Sequence, residues 1–233
     1  MLLTLEALNA EEGDCLLLHH GSATEPRHIL IDGGPGPTYL LALKPRLEAL
    51  RKLHRLSASQ SLSIELVVLT HTDEDHLDGM VQLFDEARKA KEQKHPIPYR
   101  AERIWYNTFD DIIQNKEVAA IQSLATSPSP EIRAFVAGVS AGRALRDDAN
   151  FLVVPINEEF DTFTMRTARK APRVSLDDLS LTVLSPSAAE LQSIEKAWDK
   201  YLNEHPTGKK GGVASSDKDT SVTNLSSIAL LGI

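Results

Sequence analysis

The sequence predicts an α/β fold, and three features support that prediction. Short apolar runs near the amino terminus alternate with turn residues, a spacing that is typical of short strands. Farther along, leucines and other apolar residues recur at spacings of three and four, which indicates amphipathic helices. The apolar run at residues 66–69 stops abruptly at a cluster of histidines and acids, and a short apolar run with polar boundaries is typical of a buried strand.

The first third of the chain predicts three short strands and then a helix. The apolar runs are separated by turns, so we expect an antiparallel meander with strands at residues 2–8, 15–19 and 28–31. Concentrated glycine and proline at residues 33–37 then end this part of the sheet. An apolar helical pattern follows over residues 38–56, and Pro45 lies within it, so the helix is expected to start or to kink there.

The remainder of the chain predicts further strands and helices within one domain, residues 1–233. Apolar runs indicate strands at residues 64–69, 103–107, 151–156 and 179–184, and the start of another at 227–233. Helical spacing marks residues 79–94, 188–202 and most of 110–146, with a break at 127–130. The region at about 108–178 is therefore expected to be a helical insertion.

The composition limits the classes of function that the chain can serve. Its formal net charge is −8, so its overall field does not favour nonspecific binding to nucleic acid or to an anionic membrane. Cys15 is the single cysteine, which excludes an intrachain disulfide and a paired-cysteine metal knuckle and fits a reducing compartment. No apolar run approaches the roughly 18 residues of a membrane helix, and the amino terminus lacks a basic signal-peptide region. We therefore expect a cytoplasmic protein without a membrane partner.

A cluster of potential metal ligands follows the apolar run at residues 66–69. His71, Asp73, Asp75 and His76 provide two imidazoles and two carboxylates from one loop, at the end of a strand where open α/β folds place their ligand sites. Mixed imidazole and carboxylate donors suit zinc, manganese or iron. Alternate residues of an extended segment point the same way, so His71 and Asp73 are expected to share one ion, and Asp75 and His76 a second. Two ions about 3.5–4 Å apart would clamp a phosphoryl or acyl centre.

The same acids also fit a simpler structural role. Asp73, Asp75 and Asp78 would cap a helix that begins near Gly79 and would interact favourably with the positive end of its dipole. That explanation accounts for the carboxylates. It does not account for the two histidines, so the metal interpretation is favoured.

Residues 70–79, of sequence THTDEDHLDG, resemble the HxHxDH signature of the metallo-β-lactamase superfamily. Asp73 stands where the middle histidine is usual, which is similar to the branch that includes the hydrolase-like domain of the competence protein ComEC. Three further segments agree in order and spacing with that branch: its early Gly-Asp element resembles Gly13-Asp14, its Asp-Gly-Gly strand end resembles residues 30–34, and its Asn-x-Ser-Ser strand resembles residues 220–231. The stretch between Trp105 and Leu179 is matched only loosely.

The resemblance implies an αβ/βα sandwich with two metals at the sheet edges. Asp75 would also orient the attacking water. Asp32 would support a ligand histidine from behind the metal, with a turn-forming role before Gly33-Gly34 as the alternative. Asn224 stands near the position of a later residue close to the metals, although a polar loop residue before a strand is an equally good description.

The carboxyl end of the chain departs from the pattern that the resemblance implies. A full member continues from this strand to a Gly-Asp element whose carboxylate bridges the two metals, whereas this sequence stops at Gly232-Ile233. We therefore expect the second half of the sandwich to be incomplete. An incomplete sheet leaves a free edge, which predicts a partner chain or self-association there.

Two functions from different classes follow from these features. The first is a metal-dependent hydrolase in which a metal-held hydroxide attacks a phosphodiester or another ester or amide bond. The resemblance favours a phosphodiester, for example in a nucleotide, although a fold does not fix a substrate. The alternative is a noncatalytic module that keeps the fold as an interaction or regulatory surface without a complete metal site.

Overall fold

A five-stranded mixed sheet forms the centre of the protein. The structure is a computed structural model, and it describes residues 2–113, 121–122, 124–127, 130–166, 171–204 and 227–233. The first three strands form an antiparallel meander, as predicted: β1 (Leu2–Ala7), β2 (Leu16–Gly21) and β3 (Pro26–Ile31). The sheet then continues in parallel through β5 (Leu66–Val68) and β7 (Ile104–Trp105), in the order β1-β2-β3-β5-β7.

Two further short strands, one just before β5 and one just before β7 in sequence, pair with each other in parallel. These strands are β4 (Leu62–Ile64) and β6 (Tyr99–Ala101). The strand that was predicted over residues 64–69 is therefore two strands, because the chain changes pairing partner at Glu65, whose N–H donates to the carbonyl of His28.

The helices cover one face of the central sheet. The first helical stretch combines α1 (Gly36–Thr38), a π-helical turn (Tyr39–Leu43) and α2 (Lys44–Leu53). Pro45 lies in the first turn of α2, where its missing N–H costs little, and the irregularity that it was expected to cause is the π-helical turn just before it. The remaining helices are α3 (Glu74–Glu92), α4 (Phe109–Ile112), a 3-10 turn (Leu124–Thr126), α5 (Pro130–Leu152) and α6 (Ala188–Glu204).

The other face of the central sheet packs on a second, antiparallel sheet. Its strands are β8 (Arg173–Leu176), β9 (Leu179–Ser185) and β10 (Ala229–Gly232), in the order β10-β9-β8. Consecutive residues of a strand point to opposite faces. Leu30 accordingly packs in the helix-side core, and Ile29 packs between the sheets with Leu179 and Leu181. The described residues therefore form a mixed α/β fold with a core on each side of the central sheet and a third cluster in which α4, α6 and the first half of α5 pack together.

Several sequence-based boundaries differ from the structure. The strand predicted at residues 151–156 is wrong: α5 continues to Leu152, and Ile156 makes only an isolated bridge with Ile104. Strand β8 was not predicted, and it lies inside the region that was expected to be a helical insertion. Helix α3 starts at Glu74, five residues before the predicted start, so every acid of the cluster except Asp73 is helical.

Strand β10 is an edge strand among the described residues, with Leu231 46% and Ile233 62% exposed. Self-association through this edge stays a prediction. None of the helices in the described part of the chain combines the length and the apolar character that crossing a bilayer requires.

Candidate metal centre

The candidate centre lies at the carboxyl ends of β3 and β5, where two loops meet the first turn of α3. The parallel pairing of these strands extends one step further, because the N–H of Asp32 donates to the carbonyl of Val68 at 2.9 Å. Asp32 adopts a left-handed φ of 55°, which turns the chain sharply into Gly33. Gly33 and Gly79 must both be glycine here, because a Cβ on Gly79 would lie 1.9 Å from the carbonyl oxygen of Gly33. The strand end and the helix are thus held in direct backbone contact.

Asp32 is the hydrogen-bonding hub of the centre. Its side chain is buried, with 1% of the residue exposed. The Oδ1 atom accepts the backbone N–H of Thr70 at 2.7 Å, and Oδ2 accepts the Thr70 hydroxyl at 2.7 Å and His76 Nδ1–H at 2.9 Å. Three converging donors account for the burial of this carboxylate.

These bonds fix the tautomers of both histidines. His76 donates from Nδ1 to a carboxylate, so in the neutral ring its Nε2 carries the free lone pair. The Thr70 hydroxyl gives its proton to Asp32 and therefore accepts from His71 Nδ1, which is 2.9 Å away. His71 Nε2 is consequently also unprotonated. Both rings thus present Nε2 as a ligand atom, as metal-bound histidines with a hydrogen-bonded Nδ1 do.

The carboxylates of Asp73 and Asp75 face these lone pairs. His71 Nε2 lies 3.7 Å from Asp73 Oδ2, and His76 Nε2 lies 3.5 Å from Asp75 Oδ2. The two rings are also in contact, with centroids 3.9 Å apart. Donor atoms of His71, Asp75 and His76 all lie within 4.8 Å of one another. Two atoms bound to one zinc at about 2.0–2.2 Å are at most about 4.4 Å apart, so a small inward movement of these side chains would let them share a divalent ion.

The structure brings the four predicted ligands together more closely than the sequence indicated. We expected His71 and Asp73 to bind one ion and Asp75 and His76 to bind another. In each pair the imidazole Nε2 and the carboxylate oxygen are close together. The contact between the imidazole rings places both pairs around one space. The division into two ions stays a prediction.

The capping explanation for the acids is weakened at one position. Asp73 occupies the N-cap position of α3, yet its side chain makes no capping hydrogen bond. Its carboxylate is 37% exposed and turned toward His71. Glu74 and Asp75 lie in the first turn, where they interact favourably with the helix dipole. The helix dipole therefore explains why Glu74 and Asp75 are acidic. It does not explain why the Asp73 side chain points toward His71.

Electrostatics distinguish the two histidines. Burial lowers the pKa of His71, and repulsion from His76 lowers it further. Burial also acts to lower the pKa of His76, but the hydrogen bond and the charge of Asp32 outweigh it, and the pKa rises. Partial burial raises the pKa of Glu74, and repulsion from Asp78, Asp73 and Asp75 adds to the rise. A divalent cation would relieve this crowding of negative charge.

Two residues of the centre were not identified as functional from the sequence. Thr70 couples His71 to Asp32, and its only sequence signal is that it precedes His71. Asp14 has a carboxylate oxygen within 4.8 Å of Asp32 and His76 donor atoms. The turn that holds Asp14 packs directly on the first turn of α3. A Cβ on Gly13 would lie 1.9 Å from the carbonyl oxygen of Asp75, so the two backbones are in contact there. The Gly13-Asp14 pair had been noted only for its resemblance to a family element.

The predicted residue Asn224 lies outside the described residues. The nearest described part of the same segment does approach the centre, because the N–H of Ile228 donates to the carbonyl of Thr70 at 2.9 Å. The start of β10 is thus joined to the strand end that precedes His71.

No protein-family model matches the chain, and no curated protein sequence matches it. Membership of the metallo-β-lactamase superfamily therefore stays a prediction from the motifs, and the function is inferred from the residues of the centre.

Proposed function

We propose that the chain is a metal-dependent hydrolase with a metallo-β-lactamase-like fold, and that zinc or manganese is its metal. One observation carries the proposal: a single buried carboxylate, Asp32, fixes both His71 and His76 with their Nε2 lone pairs turned toward one space. Neither histidine needs this arrangement for packing, because a neutral imidazole can be satisfied by either nitrogen. Pre-set lone pairs beside carboxylates are what a divalent ion requires.

The layer arrangement supports the fold part of the proposal. Helices cover one face of the central sheet, and the second sheet packs on its other face through Ile29, Leu66 and Trp105. An αβ/βα sandwich begins with these three layers. Gly13-Asp14, residues 30–34 and residues 70–79, the described segments that resemble the superfamily, lie at the loops that meet at Asp32 and His76, which is where the resemblance expects the metals.

The residues of the centre divide into ligands and supports. His71, His76 and Asp75 would hold the ion, and Asp73 lies close enough to His71 to join them. A bound zinc or manganese ion would polarise the scissile group and make water acidic near neutral pH. Asp75 is 45% exposed at the mouth and can orient water or accept its proton. Asp32 and Thr70 keep both rings in place from behind.

The charge around the mouth favours a small substrate. Asp14 and Glu74 are exposed, and Asp73 and Asp75 are partly exposed beside them. Such a rim repels a long polyanion. We therefore favour a small phosphodiester, such as one in a nucleotide, or another ester or amide, over long nucleic acid.

One observation favours a second candidate, a noncatalytic module. Among the described residues, the closest donor group that contains both histidines has only three members. Three protein ligands are sufficient for one catalytic zinc. They do not complete a two-metal site, and a weak site would be compatible with an interaction role.

A hydrolysis assay with metal removal and return separates the two candidates. The full chain is stripped with a chelator, dialysed, and assayed on bis(p-nitrophenyl) phosphate and p-nitrophenyl acetate with zinc or manganese added. We expect metal-restored hydrolysis that falls at least about 100-fold in Asp75→Asn. Asp85→Asn, on the same helix but paired with Lys89 away from the centre, is the matched control. A chain that binds metal without hydrolysing either ester would support the noncatalytic module.

A further inference from the structure

A row of four titratable side chains lies under helix α2, away from the candidate metal centre. Glu6 Oε2 is 3.1 Å from His19 Nε2, His19 Nδ1 is 2.8 Å from His28 Nδ1, and His28 Nε2 is 2.7 Å from His54 Nε2. We call these residues, Glu6, His19, His28 and His54, the imidazole row. Consecutive rings meet edge-on at centroid distances of 5.0 Å. The row connects β1, β2, β3 and the end of α2.

The hydrogen bonds of the row can be satisfied in only one direction when all three rings are neutral. Glu6 is an acceptor: partial burial acts to raise its pKa, but hydrogen bonds from Arg46 and His19 hold the pKa below its usual range. His19 must then donate from Nε2 and accept at Nδ1. It follows that His28 donates from Nδ1 and accepts at Nε2, and that His54 donates from Nε2. Three contacts use three ring protons, and each contact has one.

The row can take one additional proton and no more. An extra proton on the outer nitrogen of His54, or moved inward by successive tautomer changes, leaves one proton in each contact. A second extra proton would place two N–H groups against each other at 2.7 or 2.8 Å, so one contact must break. This limit follows from the number of nitrogens, whatever the positions of the protons.

The surroundings of His28 oppose charge on the middle ring. His28 is 2% exposed. The charged and titratable groups on the surrounding elements are Glu6 from β1, His19 and His20 from β2, Arg46 and His54 from α2, and the pocket residues Arg27, Glu65 and Glu102. Burial lowers the pKa of His28 to about 3, and repulsion from His19 and His54 contributes. A second proton therefore avoids His28 and stays at the ends of the row.

The contact between His28 and His54 is the one that the backbone constrains least. His19 and His28 lie opposite each other on paired strands, which fixes their separation. His54 ends α2 and is followed by Arg55 with a left-handed φ of 54°. A pocket of about 430 Å3 adjoins both His28 and His54, and Glu65 and Glu102 also line it. Glu65 already pairs with Arg27 and Glu102 accepts the Ser63 hydroxyl, so an imidazolium that leaves the row would share these carboxylates with their present partners.

We propose that the imidazole row is a pH-sensitive gate in which uptake of a second extra proton releases His54 from His28 toward the pocket carboxylates Glu65 and Glu102. In the closed state, His54 occupies Nε2 of His28 at the edge of the pocket. In the open state, that nitrogen faces the pocket, and the gate returns to its closed state when the proton leaves. The gate is independent of any metal at the candidate centre.

Nitrogen NMR of the histidine-labelled full chain tests the gate. At pH 7.5 we expect His19 and His54 protonated at Nε2 and His28 protonated at Nδ1. On acidification, the coupling between the facing His28 and His54 nitrogens should survive uptake of the first extra proton and disappear with the second, while His28 remains singly protonated. His95, an exposed loop residue, is the internal reference for an ungated ring.

Two variants separate gating from general acid unfolding. His54→Gln keeps a side-chain donor for His28 and cannot take a proton, so the His28 Nδ1–H signal should persist at least one pH unit lower than in the parent chain. His54→Leu removes the donor, and the His28 signal should then lose its pH-dependent step. Different tautomers at pH 7.5, or double protonation of His28 before His54, would overturn the proposal.

Discussion

Asp32 Oδ2 lies 2.9 Å from His76 Nδ1, and this contact connects the end of β3 to the first turn of α3. The same oxygen accepts the hydroxyl of Thr70, which in turn accepts from His71. One carboxylate therefore sets the orientation of both histidines that we propose as metal ligands. The predictions below test this arrangement and the packing that supports it.

Replacing Asp32 with Asn is expected to weaken metal binding by 10- to 100-fold, the usual effect of losing such a supporting carboxylate. Three donors converge on Asp32, and an amide offers one acceptor oxygen while its NH2 group would face a donor. Isothermal titration with zinc measures the affinity. Asp85→Asn should leave the affinity unchanged, and an unchanged affinity in Asp32→Asn would show that Asp32 does not support the ligands.

Thr70→Val is expected to weaken metal binding by about 10-fold and to lower the free energy of unfolding by about 1 kcal/mol. Valine keeps the shape and the backbone N–H of Thr70 but leaves His71 Nδ1–H without its acceptor. Denaturant unfolding and zinc titration measure the two effects. Thr182→Val, on strand β9, is the control for the loss of a hydroxyl alone. Equal zinc affinity in both variants would contradict the role assigned to Thr70.

Two glycines of α5 are expected to respond in opposite directions to alanine. A Cβ on Gly138 would lie 2.5 Å from the carbonyl oxygen of Thr72, whereas a Cβ on Gly142 would meet only a side-chain methyl of Thr72 at 3.6 Å. Gly138→Ala should lower the free energy of unfolding by about 1–3 kcal/mol through overpacking. Gly142→Ala should raise it by up to about 1 kcal/mol through helix propensity.

Chemical denaturation of both variants measures these changes. Gly138→Ala should also weaken zinc binding, because Thr72 lies between His71 and Asp73. Similar stabilities for the two variants would show that α5 does not pack tightly on the loop that holds the ligands.

Stability is expected to fall on acidification because His28 is kept neutral in the folded state. Its folded pKa is lowered to about 3, and its unfolded value is near 6.5. Below about pH 6.5 the unfolded chain gains a proton that folded His28 excludes. The stabilisation from the neutral ring is therefore present above pH 6.5 and is lost as the pH falls toward 3, by up to about 1.4 kcal/mol per pH unit.

The unfolding free energy of His28→Gln, measured between pH 7 and pH 4, isolates this effect. The variant should be less stable than the parent at pH 7 but should show a shallower decline, smaller by up to about one proton equivalent. Parallel pH profiles for the two proteins would mean that His28 does not exclude a proton.

The sequence predicted the parts of the fold that depend on local patterns. The three-stranded meander and strand β9 both follow from apolar runs and turn residues. The strand predicted at residues 151–156 failed because an apolar run at the end of a helix, here Phe151 and Leu152, looks the same as a short strand. Strand β8 alternates only weakly and takes its structure from pairing with β9.

The candidate centre was only partly predictable for a similar reason. His71 and His76 stand out by residue type and spacing. The role of Thr70 depends on the direction of its hydroxyl group, which accepts from His71. Asp14 reaches the centre because its turn packs against Asp75, a residue far from it in sequence. Those relationships arise from the meeting of β3, β5 and α3, and the sequence holds no local signal for them.

Metal analysis of the purified full chain tests the central proposal most directly. The chain is equilibrated with zinc or manganese, dialysed free of loose metal and measured by mass spectrometry of the elements, with folding checked by circular dichroism. We expect about one or two equivalents per chain, lost in His71→Ala and in His76→Ala and retained in His95→Ala. A folded parent chain that holds no more metal than these two variants would contradict the proposed metal centre.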